Sequence, residues 1–186
     1  LGGFVCTIDA NAGFEGKGLF EINGGTFTVN QTTEMDSLTM RLTSGYLEGI
    51  SILNFNPGSV FQWYGGTIQG SVVININVLS TMLWAGGIKD FRGSAIINNY
   101  CHSSWTAGDL RYYDGGAIFN NYNHFTIDGS VNLVQFNVPV GAFFINHING
   151  LIIKLNGVTN FNSTGVTFIN YGKIHVKSGE YIWDGN

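Results

Sequence analysis

Charge is what this chain has least of. Asp, Glu, Lys and Arg together make up 11% of its 186 residues, against about 25% in an ordinary soluble domain. Eight basic and twelve acidic residues leave a net charge of −4, and the basic residues form no run. That excludes a nucleic-acid footprint, which needs Lys and Arg concentrated in one patch. Two prolines rule out collagen-like and proline-rich architectures. Two cysteines, Cys6 and Cys101, make no disulfide framework. No apolar run approaches the roughly 18 residues of a membrane-spanning helix. The best helix formers are sparse, and no window of eleven or more residues carries a helical apolar stripe. The chain starts at Leu1 with neither Met nor signal peptide, as a mature form or a fragment does, which leaves secretion open.

What is abundant is glycine, at 27 residues, and aromatics, at 14 Phe, 8 Tyr and 4 Trp. The glycines open a phrase that recurs seven times: glycine, strand-forming residues, then asparagine five positions on. The copies run Gly25–Asn30, Gly49–Asn54, Gly70–Asn75, Gly93–Asn98, Gly116–Asn121, Gly141–Asn146 and Gly165–Asn170. Their glycines are about 21 to about 25 residues apart, a spacing that marks stacked repeat architectures. In such a chain each repeat buries its apolar face against its neighbours.

A second period supports the first. Leu42, Trp63, Trp84 and Trp105 recur every 21 residues, each just ahead of a glycine-containing turn. Segments such as S-V-F-Q-W and V-V-I-N-I-N-V alternate apolar and polar residues, the pattern of half-buried strands. One coil therefore reads strand, glycine turn, strand, glycine turn, strand with an Asn exit. The expected fold is all-β: a right-handed parallel β-helix, or β-solenoid, of about seven coils of roughly 21–25 residues. Residues 25–186 form one continuous solenoid domain, and residues 1–24 an N-terminal cap or first irregular coil. The motif glycines are expected to stack in one line and the motif asparagines in another. Stacked coils rise only about 4.8 Å each, so Cys6 and Cys101 lie too far apart to pair. The C-terminal S-G-E-Y-I-W-D-G-N reads as strand and turn without a charged cap, which suggests truncation or continuation by another copy.

The asparagines Asn30, Asn54, Asn75, Asn98, Asn121, Asn146 and Asn170 carry the clearest site-like signal. Asn tolerates corner conformations, and identical amides one coil apart can hydrogen-bond along the stack. They form a structural ladder or a row of ligand-binding amides. Trp63, Trp84 and Trp105 form a stacked core wall or a glycan-stacking stripe. Glu48, Lys89, Asp90, Arg92, Asp109, Arg111 and Asp114 cluster where the repeats lengthen. Paired acids there could cleave a glycan; opposite charges on neighbouring strands explain them as a surface ion ladder. The four histidines lack metal-ligand spacing, and no calcium repeat, phosphate loop or nucleophile elbow occurs. Neither cofactor nor metal is expected. Asn30 (N-Q-T) and Asn162 (N-S-T) are candidate N-glycosylation acceptors.

With the repeats in view, phrases such as W-Y-G-G-T-I-Q-G (Trp63–Gly70) and F-I-N-Y-G-K-I-H-V-K-S-G (Phe168–Gly179) resemble the right-handed parallel β-helix repeats of large extracellular, adhesin-like and fibre-forming proteins. The likeness covers about residues 18–186 and lies in the grammar of the repeat. The likeness implies the fold; low charge, the uncapped C-terminal strand, dense aromatics and no catalytic constellation point to a structural role without enzymatic activity: a rigid β-solenoid in an extracellular filament or cell-surface adhesin, assembling with copies of itself head to tail. The alternative is a polysaccharide-binding or polysaccharide-cleaving β-helix that meets cell-surface glycans. The aspartates of this chain cannot be matched to the calcium-and-arginine pattern of the pectate-lyase-like group.

Overall fold

The computed structural model of the chain describes residues 4–10, 12–136, 141–162 and 165–183. No helix occurs among them. No described strand pairs with its neighbour in sequence. Each pairs instead with the strand one coil away, and the ladders are parallel.

The first coil comprises β1 (Val5–Ile8), β2 (Ala12–Glu15) and the start of β3 (Leu19–Val29). The end of β3, β4 (Thr33–Asp36) and the start of β5 (Thr39–Gly49) make the second. The end of β5, β6 (Ile52–Phe55) and β7 (Val60–Trp63) follow, then β8 (Gly66–Ile68), β9 (Val73–Ile76) and β10 (Thr81–Trp84). The next two coils are β11 (Lys89–Arg92), β12 (Ile96–Asn99) and β13 (His102–Trp105), then β14 (Leu110–Tyr113), β15 (Ile118–Asn121) and β16 (His124–Asp128). The last are β17 (Val131–Phe136), β18 (Ala142–Asn146) and β19 (Leu151–Asn156), then β20 (Val158–Asn162), β21 (Val166–Asn170) and β22 (Lys173–Val176), with β23 (Glu180–Trp183) opening another.

The result is a parallel β-solenoid of about eight turns, one more than the repeat phrases count. The difference lies upstream of Gly25. That segment lacks the motif in phase, yet β1 pairs with the end of β3, β2 with β4, and the start of β3 with β5. Eight strands form one sheet, in the order β2-β4-β6-β9-β12-β15-β18-β21. The other sheet, of fifteen strands, covers the remaining two sides, because β3 and β5 run on around a corner instead of breaking there.

Glycine makes the corners possible. Gly45 and Gly66 follow one another up one corner with φ of 83° and 78°, values that L-residues with a Cβ rarely adopt. A Cβ on Gly66 would also stand 2.9 Å from the Gly45 carbonyl oxygen. Between corners, alternate residues point inward; β7, β9, β12 and β15 all show the same outside–inside alternation. The inward residues form one continuous core along the axis, from Ile22 and Phe27 to Phe161 and Val166.

Candidate functional site

The asparagines form two hydrogen-bonded ladders, not one. The first is half-exposed on the outside of the eight-stranded sheet. Asn75 Nδ2 donates to Asn54 Oδ1, Asn98 Nδ2 to Asn75 Oδ1, and Asn120 Nδ2 to Asn98 Oδ1, each at 2.9 Å. Its ends set its polarity. Asn54 Nδ2 meets Glu34 Oε1 at 2.8 Å, and an ionised carboxylate only accepts. At the other end His147 Nε2 lies 3.0 Å from Asn120 Oδ1. An amide oxygen cannot donate, so Nε2 carries the hydrogen. Burial pushes the His147 pKa down, which favours the neutral ring. Every donor in this chain therefore points toward Glu34.

The second ladder runs inside the solenoid with the opposite polarity. Asn99 Nδ2 donates to Asn121 Oδ1 at 2.8 Å, Asn121 Nδ2 to Asn146 Oδ1 at 2.7 Å, and Asn146 Nδ2 to Asn170 Oδ1 at 2.7 Å. The backbone N–H of Cys101 donates to Asn99 Oδ1, which orients that first amide. Asn99, Asn121 and Asn146 are fully buried, so these bonds answer amides that would otherwise be desolvated without partners.

The expected single line of seven thus divides. Asn54, Asn75 and Asn98 belong to the outer ladder, and Asn121, Asn146 and Asn170 to the inner one. The switch comes from a one-residue slip, which in a strand moves a side chain to the opposite face. Ile96 pairs with Ile118, so Asn98 sits opposite Asn120, one residue before the motif's Asn121. The glycines divide in the same way: Gly115, not Gly116, lies over Gly93. Asn30 belongs to neither ladder. Its motif strand is the end of β3, in the fifteen-stranded sheet, where Gly25 neighbours Gly45. Glu34 holds the ladder position of that coil, opposite Asn54.

The Trp stripe is core. Trp63, Trp84 and Trp105 are fully buried and meet edge to face at 5.6 and 5.5 Å, a favourable aromatic geometry. Trp84 also packs on Phe119 and Phe125. None of the three presents a ring to a sugar, which overturns the glycan-stacking role. Alternation could not set their direction, but their register one coil apart on inward positions does. Of the two glycosylation candidates, Asn30 donates its Nδ2, the atom a glycan would take, to Asp9 Oδ1 at 2.9 Å. The side chain of Asn162 and the rest of its N-S-T acceptor lie outside the described residues.

Apart from Lys89, the charged cluster stays along one side of the solenoid, on β5, β11 and β14 and the turns beside them. Asp90 pairs with Arg111 on the next coil at 2.7 Å and with Arg92 at 3.4 Å, and the Arg92 guanidinium lies 4.2 Å from the Tyr113 ring centre. Glu48 accepts from Gln69, Asp109 from Asn132, and Asp128 from Asn156. These acids answer to separate partners. Lys89 does not belong to the surface at all. It is fully buried, on an inward position in line with Leu110, and its Nζ donates to the carbonyls of Gly87 and Ala107 at 2.9 Å. Burial pulls its pKa down to about 8, against the opposing pull of Asp109. Lys154, also fully buried, donates to the Gly129 carbonyl. Both ammoniums satisfy corner carbonyls that face inward, as Trp105 Nε1 does for Gly108.

One feature escaped the sequence reading. At the corner leaving the eight-stranded sheet, Tyr100, Tyr122 and His147 stack face to face. Tyr100 and Tyr122 are 4.7 Å apart at 11°, and Tyr122 and His147 4.0 Å apart at 12°. Burial first, and the neighbouring Tyr100 second, push the Tyr122 phenol up. The signal was present as an aromatic ring directly after the ladder asparagine in N-N-Y, N-N-Y and I-N-H.

Cys6 and Cys101 are both free. Among the described residues no group of three or more His, Cys, Asp or Glu is placed to hold a metal, and no helix is long and apolar enough to cross a membrane. No protein-family model matches this chain, and no curated protein or solved structure matches it either.

Proposed function

We propose that this chain is a rigid structural segment of an extracellular filament or cell-surface adhesin, in which copies assemble head to tail. The observation that carries the reading is continuity along the axis. Among the described residues the buried core and the strand ladders run from coil to coil along the axis, so the molecule resists bending. The end coils support assembly. Among the described residues, Phe14 and Phe20 at one end and Tyr181 and Trp183 at the other are only partly covered, and β23 pairs only with β20. Edge strands and half-covered rings fit another coil of the same kind. A head-to-tail contact of that type does not close and yields a filament.

Sedimentation over a range of concentrations, with electron microscopy of the product, tests this. The parent should form rods of increasing length. Ile182→Lys sets a charge on the edge strand β23, where Lys blunts strand-to-strand pairing; it should leave single folded solenoids. A parent that stays monodisperse at high concentration overturns the assembly reading.

A further inference from the structure

We infer that the outer face of the eight-stranded sheet binds a linear, uncharged polysaccharide lying along the solenoid axis. From β6 to β21 the strands of this face read I-L-N-F, V-I-N-I, I-I-N-N, I-F-N-N, A-F-F-I-N and V-T-F-I-N, without one charged residue. Among the described residues of this sheet, charge is confined to β2 and β4 at one end.

Three rows run along it at the coil repeat of about 4.8 Å, overlapping in the coils of β12 and β15. Ile52, Val73, Ile96, Ile118 and Phe143 form an apolar row, in register with one another. The outer amide ladder runs beside it. The stacked rings of Tyr100, Tyr122 and His147 form the third row at the corner. Each ladder amide uses one Nδ2 hydrogen and one oxygen lone pair along the axis, which leaves one donor and one acceptor site per coil for a ligand. The tyrosine rings cover each other's faces, so what they offer outward is ring edge and hydroxyl. A hydroxyl-rich ribbon matches this order: apolar C–H surface over the apolar row, hydroxyls against amides and phenols. A straight ligand fits straight rows, which favours an extended chain over a coiled one.

Charge and area decide between occupants. An anionic chain would find no cation on the face and would meet Glu34 and Asp36 at its end. A second copy is too large a partner for it. Six strands span roughly 24 Å, and five residues of strand roughly 16 Å, giving about 400 Å², half of the about 800 Å² per partner that a stable protein interface needs. A single polysaccharide strand needs no more than the strip available. The inference does not depend on head-to-tail assembly, because the face is on the side of the rod.

The test is calorimetric titration of the whole chain with neutral β-linked hexasaccharides of glucose, mannose and xylose, and with a hexagalacturonate as the anionic counterpart. At least one neutral hexamer should bind, and hexagalacturonate should not. Ile96→Lys and Tyr122→Ala should each weaken binding tenfold or more. Leu83→Lys, an outward position on β10 in the other sheet, should leave it unchanged. Thermal melts of each variant verify that it is folded. Absence of binding to every neutral hexamer overturns the inference. So does binding that Ile96→Lys leaves intact, or preference for the anionic hexamer. If Ile96→Lys abolishes self-association in sedimentation while no glycan binds, the face is a contact between copies and the inference fails.

Discussion

Two alanine substitutions in the asparagine ladders should differ sharply in cost, although the sequence presents the two residues as equivalent copies. Asn121→Ala removes a fully buried amide. It orphans Asn99 Nδ2, which donates to it, and Asn146 Oδ1, which accepts from it. Water cannot reach either. An unsatisfied buried group costs about 1–3 kcal/mol, so two cost about 2–6 kcal/mol. Asn98→Ala breaks the same number of bonds, to Asn75 Oδ1 and Asn120 Nδ2. Those groups are half-exposed and turn to solvent, so the loss is close to the net worth of the two bonds, about 1–3 kcal/mol. For a chain of this length about 1 kcal/mol moves the melting temperature by about 2–4 °C. The inner variant should therefore melt up to roughly 20 °C below the outer one. Circular dichroism melts of both, with the parent, read this directly. If Asn98→Ala is as damaging as Asn121→Ala, the inner ladder is not the buried network described here.

Lys89 supplies a pH test whose sign is definite. Its folded pKa, about 8, lies below the ordinary value of 10.5, so between those values the unfolded chain binds the proton and the folded chain does not. Parent stability minus that of Lys89→Met should rise from pH 8 to about pH 10, by up to about 3 kcal/mol; a flat or falling difference in urea melts contradicts the burial of the ammonium. Trp63, Trp84 and Trp105 are sealed while Trp183 is half-exposed. Acrylamide should quench the Trp183 fluorescence alone, and Trp183→Phe should be almost unquenchable; strong residual quenching would place a core tryptophan at the surface. Burial pushes the Cys101 thiol up to about 11. At pH 8 a thiol reagent should label the half-buried Cys6 long before Cys101, and equal rates would show an open core.

The stacking period, the strand lengths and the glycine corners were all legible in the sequence, because they are local or strictly periodic. A glycine at φ near 80° and a four-residue strand of alternating burial leave their mark on the residues that form them. The Trp63–Trp84–Trp105 spacing likewise announced that these residues stack. It could not say whether they stack inside or outside, since both faces of a strand share one period. The K-D-F-R segment shows the same limit. Its Lys89 reads as one more surface charge until register with Leu110 turns it inward.

What the sequence by itself determined is therefore the coil: three short strands, glycine turns and an asparagine exit, repeated. What only the tertiary structure decided is phase. Asn98 and Asn121 occupy the same place in the motif, yet one faces solvent and the other the core, because the extra glycine at Gly115–Gly116 slips the register by one residue. With a side-chain period of two, a slip of one exchanges inside for outside. The slip is a relation between coils more than twenty residues apart, settled when they stack, and no single coil carries it. The Tyr100–Tyr122–His147 stack and the neutral face beside it exist for the same reason: each coil contributes one residue, and the surface appears only when the coils are brought into register.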